Sequence, residues 1–186
     1  PTQVLIIGDS LTDYSRGFDL QNLLGAGWQV RYRATPNRDI PYWTLRMDEA
    51  LSGDSSLPPT HIIVPMGTND AYLYTPDTFV SNLRDFHATL RLRSSAIVYY
   101  CKVPRTRDLT LSPAILANNA RLASEPPTDS GLSLAGPAAV RILDLDQAMQ
   151  SAPAPELLYP DNDPIHPTNA GYRRMGRLMQ HALQAP

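Results

Sequence analysis

Three short apolar runs limit what this chain can become: VLII at 4–7, HIIVPM at 61–66 and AIVYYCKV at 96–103. Each is nearly continuous in apolar residues rather than alternating, the pattern of a strand covered on both faces, as in a parallel sheet. Two further runs, WQVRYRA at 28–34 and VRILDL at 140–145, bring the set to five. Between the runs the spacing turns helical. Phe79, Leu83, Phe86 and Leu90 fall on one face of 76–93, with Thr75 as N-cap and Pro76 at the first helical position. Ser112-Pro113 is expected to open another helix, carrying Ile115, Leu116 and Leu122. The last helix follows Thr168 and lines up Tyr172, Met175, Leu178, Met179 and Ala182 as core. Strands alternating with helices predict an α/β fold, its five-stranded sheet mostly parallel and its crossovers right-handed. The stretch 124–137 reads as a loop rather than a linker, no internal repeat is visible, and 186 residues suit one domain over 1–186.

In open α/β sheets, functional groups gather outside the carboxyl ends of the strands. Polar clusters stand at three such places: Gly8-Asp9-Ser10 after the first run, Gly67-Thr68-Asn69-Asp70 after the third, and the segment Asp161 to Pro167 before the last helix. Taken singly, each has a plain reading as a turn, a cap or a loop histidine. Chemistry links them. A serine hydroxyl such as Ser10 is a poor nucleophile until a base removes its proton, and His166 supplies an imidazole. An imidazole in that role needs a carboxylate to fix its tautomer, and Asp163 stands three residues earlier across a proline-stiffened turn. An oxyanion needs hydrogen-bond donors, and Asn69 carries a side-chain amide at a neighbouring strand end.

Those blocks, IIGDSLTD at 6–13, PMGTND at 65–70 and DPIHPTNAGYRRMG at 163–176, resemble the SGNH/GDSL hydrolases, a family of esterases, lipases, thioesterases and carbohydrate deacetylases. The resemblance implies a flavodoxin-like three-layer α/β/α sandwich and no metal or organic cofactor. It implies Ser10 as nucleophile, His166 as base, Asp163 as its orienter, and an oxyanion hole that includes Ser10 and Asn69. A small-molecule or carbohydrate ester, or a thioester, is the implied substrate, cleaved through an acyl-enzyme. One departure stands out. The family places a glycine after the second strand as a further oxyanion donor, and the corresponding stretch, ATPNRDIPYW at 34–43, has none. By position Arg38 takes its place. Arg38 keeps a backbone N–H, and Asn37 beside it tolerates positive φ better than most residues. The missing glycine keeps a second reading open: a weakly active or inactive binding domain on the same fold.

Other chemistries are excluded or left bland. A net charge of −2 argues against nucleic-acid binding, and no apolar stretch has the length to span a bilayer. Ser10 lies in GDSLT, outside any GxSxG, and the lone lysine, Lys102, removes a Walker A loop. Cys101, the one cysteine, reads as a buried thiol. His61 stands before its strand, at the wrong end of the sheet, while His87 and His181 read as surface or packed-flank residues. Asp9 and Asp70 are expected to brace their own turns. Tyr72 and Tyr74 are candidates for a pocket wall. Arg16, Arg105 and Arg107 are read as either solvated or facing an anionic substrate. The pattern of a signal peptide is not visible, and the expectation leans to the cytoplasm.

Overall fold

The computed structural model describes residues 1–53, 57–130 and 139–185. Five strands, β1 (Thr2–Gly8), β2 (Trp28–Ala34), β3 (His61–Val64), β4 (Ile97–Lys102) and β5 (Val140–Asp144), form one sheet in the order β2-β1-β3-β4-β5. Every neighbouring pair is parallel, so the sheet is wholly rather than mostly so. This is the flavodoxin-like order, and all five carboxyl ends open on one edge. Helices follow the strands: α1 (Ser10–Tyr14), α2 (Leu20–Leu24), α3 (Ile40–Thr44), α4 (Met47–Leu51), α5 (Thr68–Leu73), α6 (Pro76–Arg91), α7 (Leu111–Ser124), α8 (Leu145–Gln150) and α9 (Asn169–Gln184).

The two-residue period of the strands divides the core. Val4, Ile6, Ile63, Tyr99 and Cys101 turn to one face, where they meet Leu20 of α2, Ile115 of α7, Met149 of α8 and Met175 and Met179 of α9. Leu5, Ile7, Ile62, Val64, Val98 and Tyr100 turn to the other, against Ile40 and Trp43 of α3 and Phe79, Val80, Leu83 and Phe86 of α6. Three layers result. Among the described residues, no helix is long and apolar enough to cross a membrane.

The long helices start where their caps dictate. Thr75 accepts from Thr78 N at 3.3 Å and Thr168 from Gly171 N at 3.3 Å, as the sequence predicts. The helix expected to open at Ser112 begins instead at Leu111, because Asp108 Oδ1 already accepts from Thr110 N and Leu111 N, each at 2.8 Å. Leu116 is 36% exposed and lies off the packed stripe. The last apolar run leaves its strand after Asp144, whose side chain accepts from Gln147 N at 2.8 Å and caps α8. Of the stretch 124–137, Ser124 ends α7, 125–130 forms neither helix nor strand, and 131–137 lies outside the described residues. Residues before that gap are tied down by a buried cluster. His87 on α6 is hydrogen-bonded to Tyr100 Oη at 2.8 Å and to Asp129 Oδ1 at 2.9 Å, and Arg91 Nε donates to Asp129 Oδ1 at 2.6 Å.

Candidate active site

Asp9 ends the first strand as the N-cap of α1, its Oδ1 accepting from Leu11 N at 2.9 Å. The helix therefore begins with Ser10 at the sheet edge. A Cβ on Gly8 would stand 1.9 Å from Thr12 Oγ1, so glycine is what lets α1 fold back this closely. On the far side, the loop before α9 folds on itself around Asp163: Oδ1 accepts from Ile165 N at 2.9 Å and from His166 N at 3.0 Å. Asp163 Oδ2 lies 2.8 Å from His166 Nδ1, and His166 Nε2 lies 2.9 Å from Ser10 Oγ. The three residues singled out in the sequence thus meet in one hydrogen-bonded line. Burial alone would raise the Asp163 carboxyl, but the His166 and Ile165 N–H groups and the imidazole outweigh it and hold it below the usual range.

The second half of the site faces Ser10 from β2 and β3. Gly67, at φ 142°, turns the chain from β3 into α5. Asn69 Nδ2 then donates to Arg38 O at 3.0 Å and to Asp9 Oδ2 at 3.2 Å. Asn37 adopts φ 61°, the positive φ that its side chain tolerates. Among the described residues, the backbone N–H groups of Ser10 and Arg38 donate to no protein acceptor. The Arg38 guanidinium lies 4.9 Å from the Tyr42 ring centroid. Asp9, Arg38 and Asn69 are therefore brought together, with the Asn69 amide engaged by two protein acceptors.

Several side chains do other work than the sequence suggests. Asp70 reaches beyond its own turn: its Oδ1 accepts from Ile40 N at 3.1 Å, thirty residues away. Burial pushes both Asp9 and Asp70 up to about 7, with the Asp39 and Asp9 charges adding to the rise at Asp70. Tyr74 is no open pocket wall, since its hydroxyl donates to Asp39 Oδ2 at 2.7 Å, and Tyr72 is exposed. Arg105 is bidentate on Asp146, with Nη2 to Oδ2 at 2.7 Å. Arg107 donates from Nη2 to Pro160 O at 3.0 Å and from its backbone N–H to Pro164 O at 2.8 Å, holding the His166 loop. Arg16 begins a run of four positive-φ residues through Asp19. His61 starts β3 at the opposite edge, His87 is buried in its cluster, and His181 is exposed. One neighbour of the site escaped the sequence reading. The Tyr14 ring lies 4.8 Å from that of His166, tilted by 57°. Its signal was spacing, because Tyr14 stands four residues after Ser10 on one short helix. Among the described residues, no group of three or more His, Cys, Asp or Glu side chains is placed to hold a metal ion.

The model of the GDSL-like lipase/acylhydrolase family matches residues 6–174. The chain belongs to that family. Its membership supports a hydrolase acting on esters. A lipase/acylhydrolase from Enterococcus faecalis is similar to this family member at TM-score 0.74 and 17% identity, over 98% of this chain and 95% of that one. A lipolytic G-D-S-L family protein from Veillonella parvula gives TM-score 0.73 at 14% identity, over 99% and 98%. A carbohydrate esterase of family 3 from Talaromyces cellulolyticus gives 0.68 at 13%, over 98% and 96%. At these identities the likeness shows the acylhydrolase fold. No curated protein matches the chain by sequence.

Proposed function

We propose that the protein is a serine hydrolase that cleaves acyl esters through an acyl-enzyme on Ser10. The observation that carries this reading is the unbroken line from Ser10 Oγ to His166 Nε2, 2.9 Å, and from His166 Nδ1 to Asp163 Oδ2, 2.8 Å. In it, neutral His166 takes the Ser10 proton as Oγ bonds to the acyl carbon. The carbonyl oxygen becomes an oxyanion, met by the free N–H groups of Ser10 and Arg38 and by the Asn69 amide, whose longer contact to Asp9 is the one an oxyanion displaces. Collapse breaks the bond to the leaving alcohol, which receives the proton from His166. Water, deprotonated by the same imidazole, then hydrolyses the acyl-enzyme and restores Ser10. Asp163 fixes the tautomer and stabilises the imidazolium.

Simple carboxylic esters, O-acetylated carbohydrates and thioesters all suit this chemistry, and the likeness to a carbohydrate esterase supports including acetylated sugars. The alternative, a weakly active or inactive domain, draws on the Asn69 amide being engaged by Arg38 O and Asp9. A panel of p-nitrophenyl esters of rising acyl length, with acetylated carbohydrate and an acyl thioester, separates the two. Ser10→Ala is expected to lower turnover on the order of 10⁴-fold or more and to abolish labelling by a fluorophosphonate probe. Asp163→Asn should also lose most of the rate, whereas Asp161→Asn should not. Near-wild-type turnover by Ser10→Ala would refute the reading.

A further inference from the structure

The loop that faces Ser10 is gripped, residue by residue, from one short stretch. Asn69 Nδ2 donates to Arg38 O at 3.0 Å, Tyr74 Oη donates to Asp39 Oδ2 at 2.7 Å, and Asp70 Oδ1 accepts from Ile40 N at 3.1 Å. Residues 38, 39 and 40 are thus each held by a different side chain from 69–74. Both ends of the loop are tied to the strand that carries the nucleophile. Gly8 O accepts from Thr35 N at 3.3 Å on one side and from Trp43 Nε1 at 2.9 Å on the other. Asp39 in turn caps α3 through Tyr42 N at 3.0 Å. Within this fastened loop, the Arg38 N–H is left without a protein acceptor among the described residues.

We propose that Asp70 and Tyr74 are positioning residues for the oxyanion hole: with Asn69 they hold residues 38–40 as one unit and set the Arg38 N–H against Ser10. The inference rests on Ser10 being the nucleophile. It answers the missing glycine in physical terms. The positive φ of this turn is carried by Asn37 rather than by Arg38, and the side chains of 69–74 fasten the residues that follow it. Asp70 contributes to this grip through one acceptor oxygen, Oδ1. Its Oδ2 is buried with no partner, and the same burial that leaves it so pushes the carboxyl up to about 7. An amide oxygen in the same place would accept from Ile40 N equally well.

The test compares Tyr74→Phe, Asp70→Ala and Asp70→Asn with wild type on a p-nitrophenyl ester, alongside inhibition by an arylboronic acid, which forms a tetrahedral adduct on a reactive serine. Tyr74→Phe is expected to lower kcat about ten-fold and Asp70→Ala about a hundred-fold, with KM within about two-fold, the scale of effect expected when a donor is misplaced. Boronate affinity should fall by matching factors, and Asp70→Asn should keep kcat within about three-fold of wild type. The proposal is overturned if folded Tyr74→Phe and Asp70→Ala keep wild-type kcat and boronate affinity, if their losses fall on KM alone, or if Asp70→Asn is as damaging as Asp70→Ala. Should Asp70→Ala fail to fold, Tyr74→Phe and Asp70→Asn decide. Ser10→Ala is run beside them: full activity there refutes the nucleophile, while a dead Ser10→Ala with an intact Tyr74→Phe refutes the grip alone.

Discussion

Asp9 and Asp70 flank the strand ends beside Ser10, and neither has exposed surface. Both titrate near about 7 in the folded protein, because burial penalises the carboxylate more than the Leu11 and Ile40 N–H groups favour it. In the unfolded chain an aspartate titrates near about 4, so between about 4 and about 7 the folded state holds protons that the unfolded state has released. Stability from these groups is full below that window and is lost as pH rises through it. Asp70→Asn removes one such proton while keeping the acceptor. The difference in unfolding free energy between wild type and Asp70→Asn should therefore fall as pH rises from about 4 to about 7, measured by urea denaturation at several pH values. A difference independent of pH would show that Asp70 is ionised throughout. Residues of this kind explain what the sequence left illegible. The meeting of Ser10, His166 and Asp163 in one hydrogen-bonded line was readable, because the sequence offered a hydroxyl, an imidazole and a carboxylate that a single chemistry would bring together. The long reach of Asp70 was not readable, because its partner, Ile40 N, lies in a helix that carries no pattern of its own.

That difference recurs among the elements. The five strands and the helices α6 and α9 were legible, since long stripes and continuous apolar runs have a readable period. The five- and six-residue helices α1 to α5 and α8 were not, being shorter than two turns and set by single caps such as Asp9, Asp39 and Asp144. Nor was the junction between α6, β4 and the segment after α7, where Asp129 meets His87 and Arg91. Arg91 has a side chain only 1% exposed, so Asp129 is the group that compensates its charge. Asp129→Ala leaves a buried guanidinium unpaired, and breaking such a pair typically costs about 3–5 kcal/mol. We expect a loss of that order in urea unfolding, with faster proteolysis in the 125–130 segment and unchanged ester turnover, because the cluster touches no group at the Ser10 edge.

At the scale of the molecule, the sheet separates two sets of buried side chains. Val80 of α6 and Met179 of α9 belong to opposite sets, and each is at most 1% exposed. Val80→Ala and Met179→Ala should each cost about 2–3 kcal/mol, and the double variant should lose their sum within about 0.5 kcal/mol, as sites without shared partners do. A larger coupling would mean that strain passes through the strands. The division also reaches the chemistry. The His166 loop rests on one set through Tyr159 and Ile165, and the 38–40 loop rests on the other through Ile40 and Trp43. In the reading proposed above, the base and the Arg38 side of the oxyanion hole therefore rest on opposite faces of the sheet, with Ser10 at the end of the strand between them. On that reading, a substitution packed against one face would bear on the basicity of His166 and one packed against the other on the fit to the oxyanion, and either could shift the preferred ester while Ser10 stays where it is.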